Sequence, residues 1–164
     1  MTDVTSRHEQ GDVLMAARIR KLTRVITFAD LASGTVNGAS VDVALGLQLA
    51  GLAGQQQPTH RLLAGAVFLQ APGACLNTQF TGGGATAVGV TIGTAASPTV
   101  IATNFDVRGS AASGLFVGMT QGVWRVVPAD SLIVARFTPD GAHALVNLTA
   151  GSVELSVYYA GPIK

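Results

Sequence analysis

From Ser152 to Tyr159 the side chains change character at every step. Val153, Leu155, Val157 and Tyr159 point one way, and Ser152, Glu154, Ser156 and Tyr158 the other. Successive Cβ atoms of an extended chain project to opposite sides of the pleat, so this alternation reads as a strand with one buried face. Ahead of it stand a Pro139-Asp140-Gly141 turn and a small-residue corner, Ala150-Gly151-Ser152. Together these read as a β-hairpin whose last strand is locked into a sheet. A sheet with one apolar face needs a second layer to cover it, which points to a compact β-sandwich.

The rest of the body repeats the pattern in short pieces. Thr23–Phe28 is rich in β-branched residues and ends at Ala29-Asp30; Asn37-Gly38 signals a turn, and Val41–Leu49 alternates. Leu62–Leu69 is apolar enough to be covered on both faces, with Gly65 as a bulge or close approach. Ala74–Phe80, Thr86–Ile92, Thr99–Phe105, Gly122–Val127 and Ser131–Phe137 complete the set, the last two flanking a Pro128-Ala129-Asp130 turn. Short strands recurring every ~8–12 residues are the pattern of an all-β antiparallel β-sandwich, jelly-roll-like in arrangement.

Charge divides the chain. Arg7, Arg18, Arg20, Lys21 and Arg24 are five of the ten basic residues, and all precede Val25. We read residues 1–22 as an N-terminal arm and residues 23–164 as the β-sandwich body. Asp12 is placed to cap a short helix over Val13–Lys21, with Met15, Ile19 and Leu22 on one stripe. An arm with closely spaced cations and apolar anchors can order on a partner; the plainer reading is a solvated terminus.

Composition narrows the function. Charged residues are 12% of the 164, against roughly 25% in an ordinary soluble domain, while 48% are hydrophobic and the mean hydropathy is +0.43. Such a surface suggests coverage by copies of the chain or by a larger partner. A net charge of +1 argues against nucleic-acid binding. No apolar run approaches the ~20 residues of a membrane-spanning helix. The lone Cys75 forms no intramolecular disulfide and is expected as a buried small hydrophobe. The polar N-terminus has no signal-peptide pattern, so action or assembly in a reducing cytoplasm is the expectation.

No residue set invites catalysis. Gly82-Gly83-Gly84 lacks the spacing and following helix of a phosphate loop, and reads as a tight connection using positive φ. His8, His60 and His143 are far apart and read as surface histidines; His8, Glu9 and Asp12 make a poor metal site. No Gly-x-Ser-x-Gly elbow occurs, and Asp30, Asp130 and Asp140 sit beside turns, where Asp bonds local backbone. Asn147-Leu148-Thr149 reads as a chance sequon, and Trp124 as a core or subunit-contact residue. The expectation is a protein that is not an enzyme and takes neither cofactor nor metal.

Three stretches resemble the small head decoration, or cement, proteins of tailed bacteriophages. They are Ile26–Leu31, the run Phe80-Thr81-Gly82-Gly83-Gly84 through Gly93, and Leu148-Thr149-Ala150-Gly151-Ser152-Val153 to Pro162. The resemblance implies a structural virion protein that binds the outer surface of a phage head and stabilises subunit junctions. It further implies the major capsid protein as partner and self-association as a dimer or trimer. It supplies no active-site residue. Met15, Arg18, Ile19, Arg20, Lys21, Leu22 and Arg24 are then the expected partner contacts. Another virion module (tail, head-completion or fibre-base) is the first alternative; a carbohydrate-binding β-sandwich is the second, disfavoured by 5% aromatics.

Overall fold

The computed structural model describes residues 19–48, 56–57, 61–110 and 113–161. Its strands, in chain order, are β1 (Ile19–Thr27), β2 (Val41–Ala44), β3 (Gly46–Gln48), β4 (Gln56–Gln57), β5 (Arg61–Leu62), β6 (Val67–Phe68) and β7 (Gly73–Gly82). There follow β8 (Val88–Gly93), β9 (Ala102–Asp106), β10 (Phe116–Gly118), β11 (Thr120–Gln121), β12 (Ser131–Leu132), β13 (Val134–Pro139) and β14 (Leu148–Ala160). Two short 3-10 helices, Phe28–Leu31 and Leu145–Asn147, are the only helical elements among the described residues.

The strands form an all-β sandwich. The first sheet runs β10-β7-β14-β1-β3-β4, with β6 also pairing β14; the second runs β11-β9-β8-β13-β2, and β12 pairs β5 separately. Every pairing is antiparallel. The alternation in β14 is realised as expected: Val153, Leu155, Val157 and Tyr159 are buried. β14 is long because it is central, with β1 on one side and β7 on the other. Facing it across the core, β8 and β13 contribute Val88, Val90, Ile92, Ala135 and Phe137. Phe80 of β7 and Phe137 of β13 meet at a ring-centroid distance of 6.1 Å, tilted by 37°.

The hairpin is not formed. β13 pairs with β8 and β2, whereas β14 pairs with β1, β7 and β6, so the connection crosses from one sheet to the other. Leu145, fully buried within the second 3-10 helix, draws the chain across the end of the core. A second crossing splits the strand expected over Val41–Leu49. Leu45 leaves the ladder, its side chain buried and its N–H bonded to the Ile133 carbonyl, and β3 resumes in the opposite sheet.

Leu62–Leu69 is likewise not one strand. It folds into β5 and β6 about a turn at Gly65, where φ is +85°. Val67 and Leu69 are exposed rather than covered. Gly122–Val127 follows the core as a loop: the Gly122 and Trp124 N–H groups bond the Ile101 and Val100 carbonyls, and Val126 alone bridges to Val67. Ile19, Arg20 and Lys21 are strand residues in β1, not helix, because each finds a ladder partner in β14. Val13 to Arg18 lie outside the described residues. The Gly82-Gly83-Gly84 connection does use positive φ (100°, 66° and 74°), and packs closely on Asn147, Thr149 and His143.

Candidate functional site

β1 sorts the basic N-terminal cluster onto two faces. Its register sets Arg20, Leu22, Arg24 and Ile26 opposite Tyr159, Val157, Leu155 and Val153, the inward row of β14. Leu22 is fully buried in the core and presents no surface. Arg20 lies beside Tyr159; burial pushes the phenol's pKa up, with the Arg20 guanidinium pulling the other way. Arg24 is committed within the chain, donating to Asp30 Oδ1 (3.0 Å) and to the Ala44 carbonyl (3.2 Å). Burial acts to raise the Asp30 pKa, but the Thr27 N–H and hydroxyl, together with Arg24, outweigh it and hold the carboxyl low. The two remaining described candidates, Ile19 and Lys21, face outward. Met15 and Arg18 lie outside the described residues.

Half of the exposed large apolar side chains among the described residues lie on the outward face of the first sheet. Ladder partners share a face, so Ile19, Ala160, Val67 and Val126 form one row across β1, β14, β6 and the 122–127 loop. The next row holds Lys21 and Tyr158, with Leu69 adjoining through its N–H bond to the Tyr158 carbonyl. Further along, Val25, Glu154, Cys75 and Phe116 align. Ile19 is 71% exposed and Phe116 53%; Val25, Val67, Leu69 and Val126 lie between 42% and 48%.

One ion pair stands amid this surface. Lys21 Nζ lies 2.9 Å from Glu154 Oε1, and 5.4 Å and 5.8 Å from the ring centres of Phe116 and Tyr158. Both charges are thus neutralised locally, and the ammonium is held near two aromatic faces. Between the rows, Thr23 and Ser156 are buried. The Thr23 hydroxyl reaches the Leu155 carbonyl (2.9 Å), Glu154 Oε1 (3.2 Å) and Ser156 Oγ (3.3 Å). Cys75 is buried as expected and its thiol donates to Asn77 Oδ1 at 3.3 Å.

Two other places bring polar groups together. Asp140 Oδ2 accepts from the Thr86 N–H and hydroxyl, while Oδ1 meets His143 Nδ1 at 2.5 Å. The Thr86 backbone bond, followed by His143, holds the Asp140 carboxyl far below the usual carboxylate range. Read as separate turn residues in the sequence, this pair is joined by its i,i+3 spacing across the Asp140-Gly141 turn. His143 Nε2 faces Gly84, where there is no side chain to act as a nucleophile; the pair instead ties the triple-glycine loop to the turn. On the second sheet, a depression of about 320 Å³ is lined by Gly89, Val90, Thr91, Phe105 and Asp106. Its one carboxylate is occupied, since Asp106 Oδ1 accepts from the N–H groups of Val88 and Arg108.

Elsewhere, Trp124 is half-buried against the core. Asn147, of the sequon, is exposed beneath Gly83. Among the described residues no group of three or more His, Cys, Asp and Glu could hold a metal ion, and no helix is long and apolar enough to cross a membrane. His8 and His60 lie outside the described residues.

No family model matches this chain, and no curated protein does. Among solved structures, it is similar in fold to a chain of the Cyanophage Pam1 capsid asymmetric unit. The likeness covers 89% of this chain and 85% of that one, with a TM-score of 0.50 and 15% sequence identity.

Proposed function

We propose that this protein is a structural component of a phage virion. In this reading it is a decoration or cement protein that binds the outside of the head and stabilises junctions between capsid subunits, as a small symmetric oligomer. The observation that carries the reading is the sandwich fold shared over most of both chains with a component of the Cyanophage Pam1 capsid. The exposed apolar face of the first sheet supports it, because a chain that works by contact needs desolvatable area rather than a pocket. Repetition over an icosahedral shell lets individually modest contacts add up. Ile19 and Lys21 lie on that face and remain the described candidates for partner contact; Met15 and Arg18 of the arm complete the proposed set.

Purified protein mixed with capsid shells that lack it provides the test. Saturation at a fixed ratio, with a rise in the shells' melting temperature, is expected. Failure to bind shells at any ratio would overturn the assignment.

A further inference from the structure

We infer that the outward face of the first sheet is the surface through which two copies of this chain pack together. This deepens, and rests on, the oligomeric part of the proposed function, but it makes no use of a capsid. Three observations select a second copy as the occupant.

The first is area. Ile19, Val25, Val67, Leu69, Phe116 and Val126 are all at least 42% exposed and lie on one face. Together they leave roughly 600 Å² open, the upper end of the largest patch on an ordinary monomer. With Tyr158 and the Lys21–Glu154 pair, the face approaches the ~800 Å² per partner of a standard protein–protein interface.

The second is charge. Among the described residues of these rows the charged groups are Lys21 and Glu154, which sit 2.9 Å apart and sum to zero. An acidic or basic partner would find nothing to complement, whereas an identical face meets no like-charge repulsion. Across a two-fold axis Lys21 of each copy can approach Glu154 of the other, which is the self-complementary arrangement an isologous contact requires. The third is internal satisfaction. The buried hydroxyls of Thr23 and Ser156 already bond within the chain, so covering the face strands no polar group between these rows.

Sedimentation equilibrium of the full chain, alone, provides the test. The expected result is a dimer with a Kd of about 1 µM or tighter. Ile19→Glu and Leu69→Glu, made separately, place a carboxylate in the dry part of the contact and should each weaken it at least about tenfold. Val36→Glu alters a 64%-exposed valine beside the Asn37-Gly38 turn and should leave the dimer intact. Circular dichroism and melting confirm that each variant folds; if either glutamate variant unfolds, Ile19→Ser or Leu69→Ser replaces it, with the same direction expected.

A wild-type monomer overturns the inference, as does an oligomer indifferent to both glutamates. The latter would mean that another surface mediates assembly, or that residues 1–18 cover this one. Capsid binding is measured separately, so a monomer that still saturates shells overturns the dimer and leaves the virion role standing.

Discussion

Replacing Gly151 with alanine should damage this fold severely, through both backbone strain and a clash in the core. Gly151 lies inside β14 where the pairing with β7 shifts register, and its φ of +143° is one that L side chains rarely adopt. Holding alanine there costs about 1–3 kcal/mol. The added Cβ would also fall within 2.3–2.7 Å of three atoms of the Phe80 ring, which is itself fully buried and lies tilted against Phe137. Making room in a packed core costs a further ~1–3 kcal/mol. The expected loss is therefore about 2–6 kcal/mol. With an m-value near 2 kcal/mol/M, the urea midpoint should fall by about 1–3 M.

Trp124 is the only tryptophan and packs against the core, so its fluorescence reports the transition. Phe80→Ala separates the two costs. On the wild-type background it should lose about 3–5 kcal/mol. On the alanine background it should lose less, because the missing ring relieves the clash but not the backbone strain. Gly141→Ala, with nothing within 4 Å of its Cβ, serves as a near-neutral control. A Gly151→Ala variant within about 0.5 kcal/mol of wild type would refute the reasoning. Strictly additive costs would refute the steric half of it.

Asp140→Asn should remove a stabilising contribution that depends on pH. The native carboxyl is depressed below its ordinary 3.8, so its contribution is fully present above that value and fades as pH falls toward the lower native pKa. Melting curves of wild type and variant should thus converge below about pH 3.8; a constant gap down to pH 2 would contradict the assignment. Cys75, buried and bonded to Asn77, should resist a thiol reagent in the native protein and react fully in denaturant. Rapid native labelling would show that this part of the first sheet opens readily.

What the sequence conveyed depended on how local each feature is. The two faces of β14 could be read from Val153 to Tyr159 because alternation needs no knowledge of neighbouring strands. The triple glycine could be read as a positive-φ connection for the same reason. Sheet membership could not. Whether Leu45 continues a strand or crosses to the opposite sheet depends on the Ile133 carbonyl, 88 positions on, that takes its N–H. The Pro139-Asp140-Gly141 turn looks like a hairpin turn, and only the burial of Leu145 sends the next strand to the other layer.

The candidate surface was half legible. Ile19 and Lys21 stood out because they belong to a basic cluster. Val25, Leu69, Phe116 and Val126 carried no signal of their own, since valine or phenylalanine in a strand looks the same facing inward or outward until the ladder is drawn. The helical spacing of Met15, Ile19 and Leu22 misled where strand pairing claimed Ile19 and Leu22. A pattern compatible with 3.6-residue periodicity over so few residues yields easily to nine ladder partners.

The register of β1 against β14 also dictates when this protein can fold. Their pairing joins residues 125 to 141 positions apart, and these two strands occupy the middle of the first sheet. During translation β1 emerges well before the neighbour that completes its ladder. Until then Ile26 and Leu22 have no partner strand in β14, and β7 lacks its principal neighbour. Closure of so long a loop is slow, and the waiting strand edges are open to other nascent chains. Rapid synthesis in large numbers would therefore favour misassembly unless the early strands are shielded until Ala160 has been added.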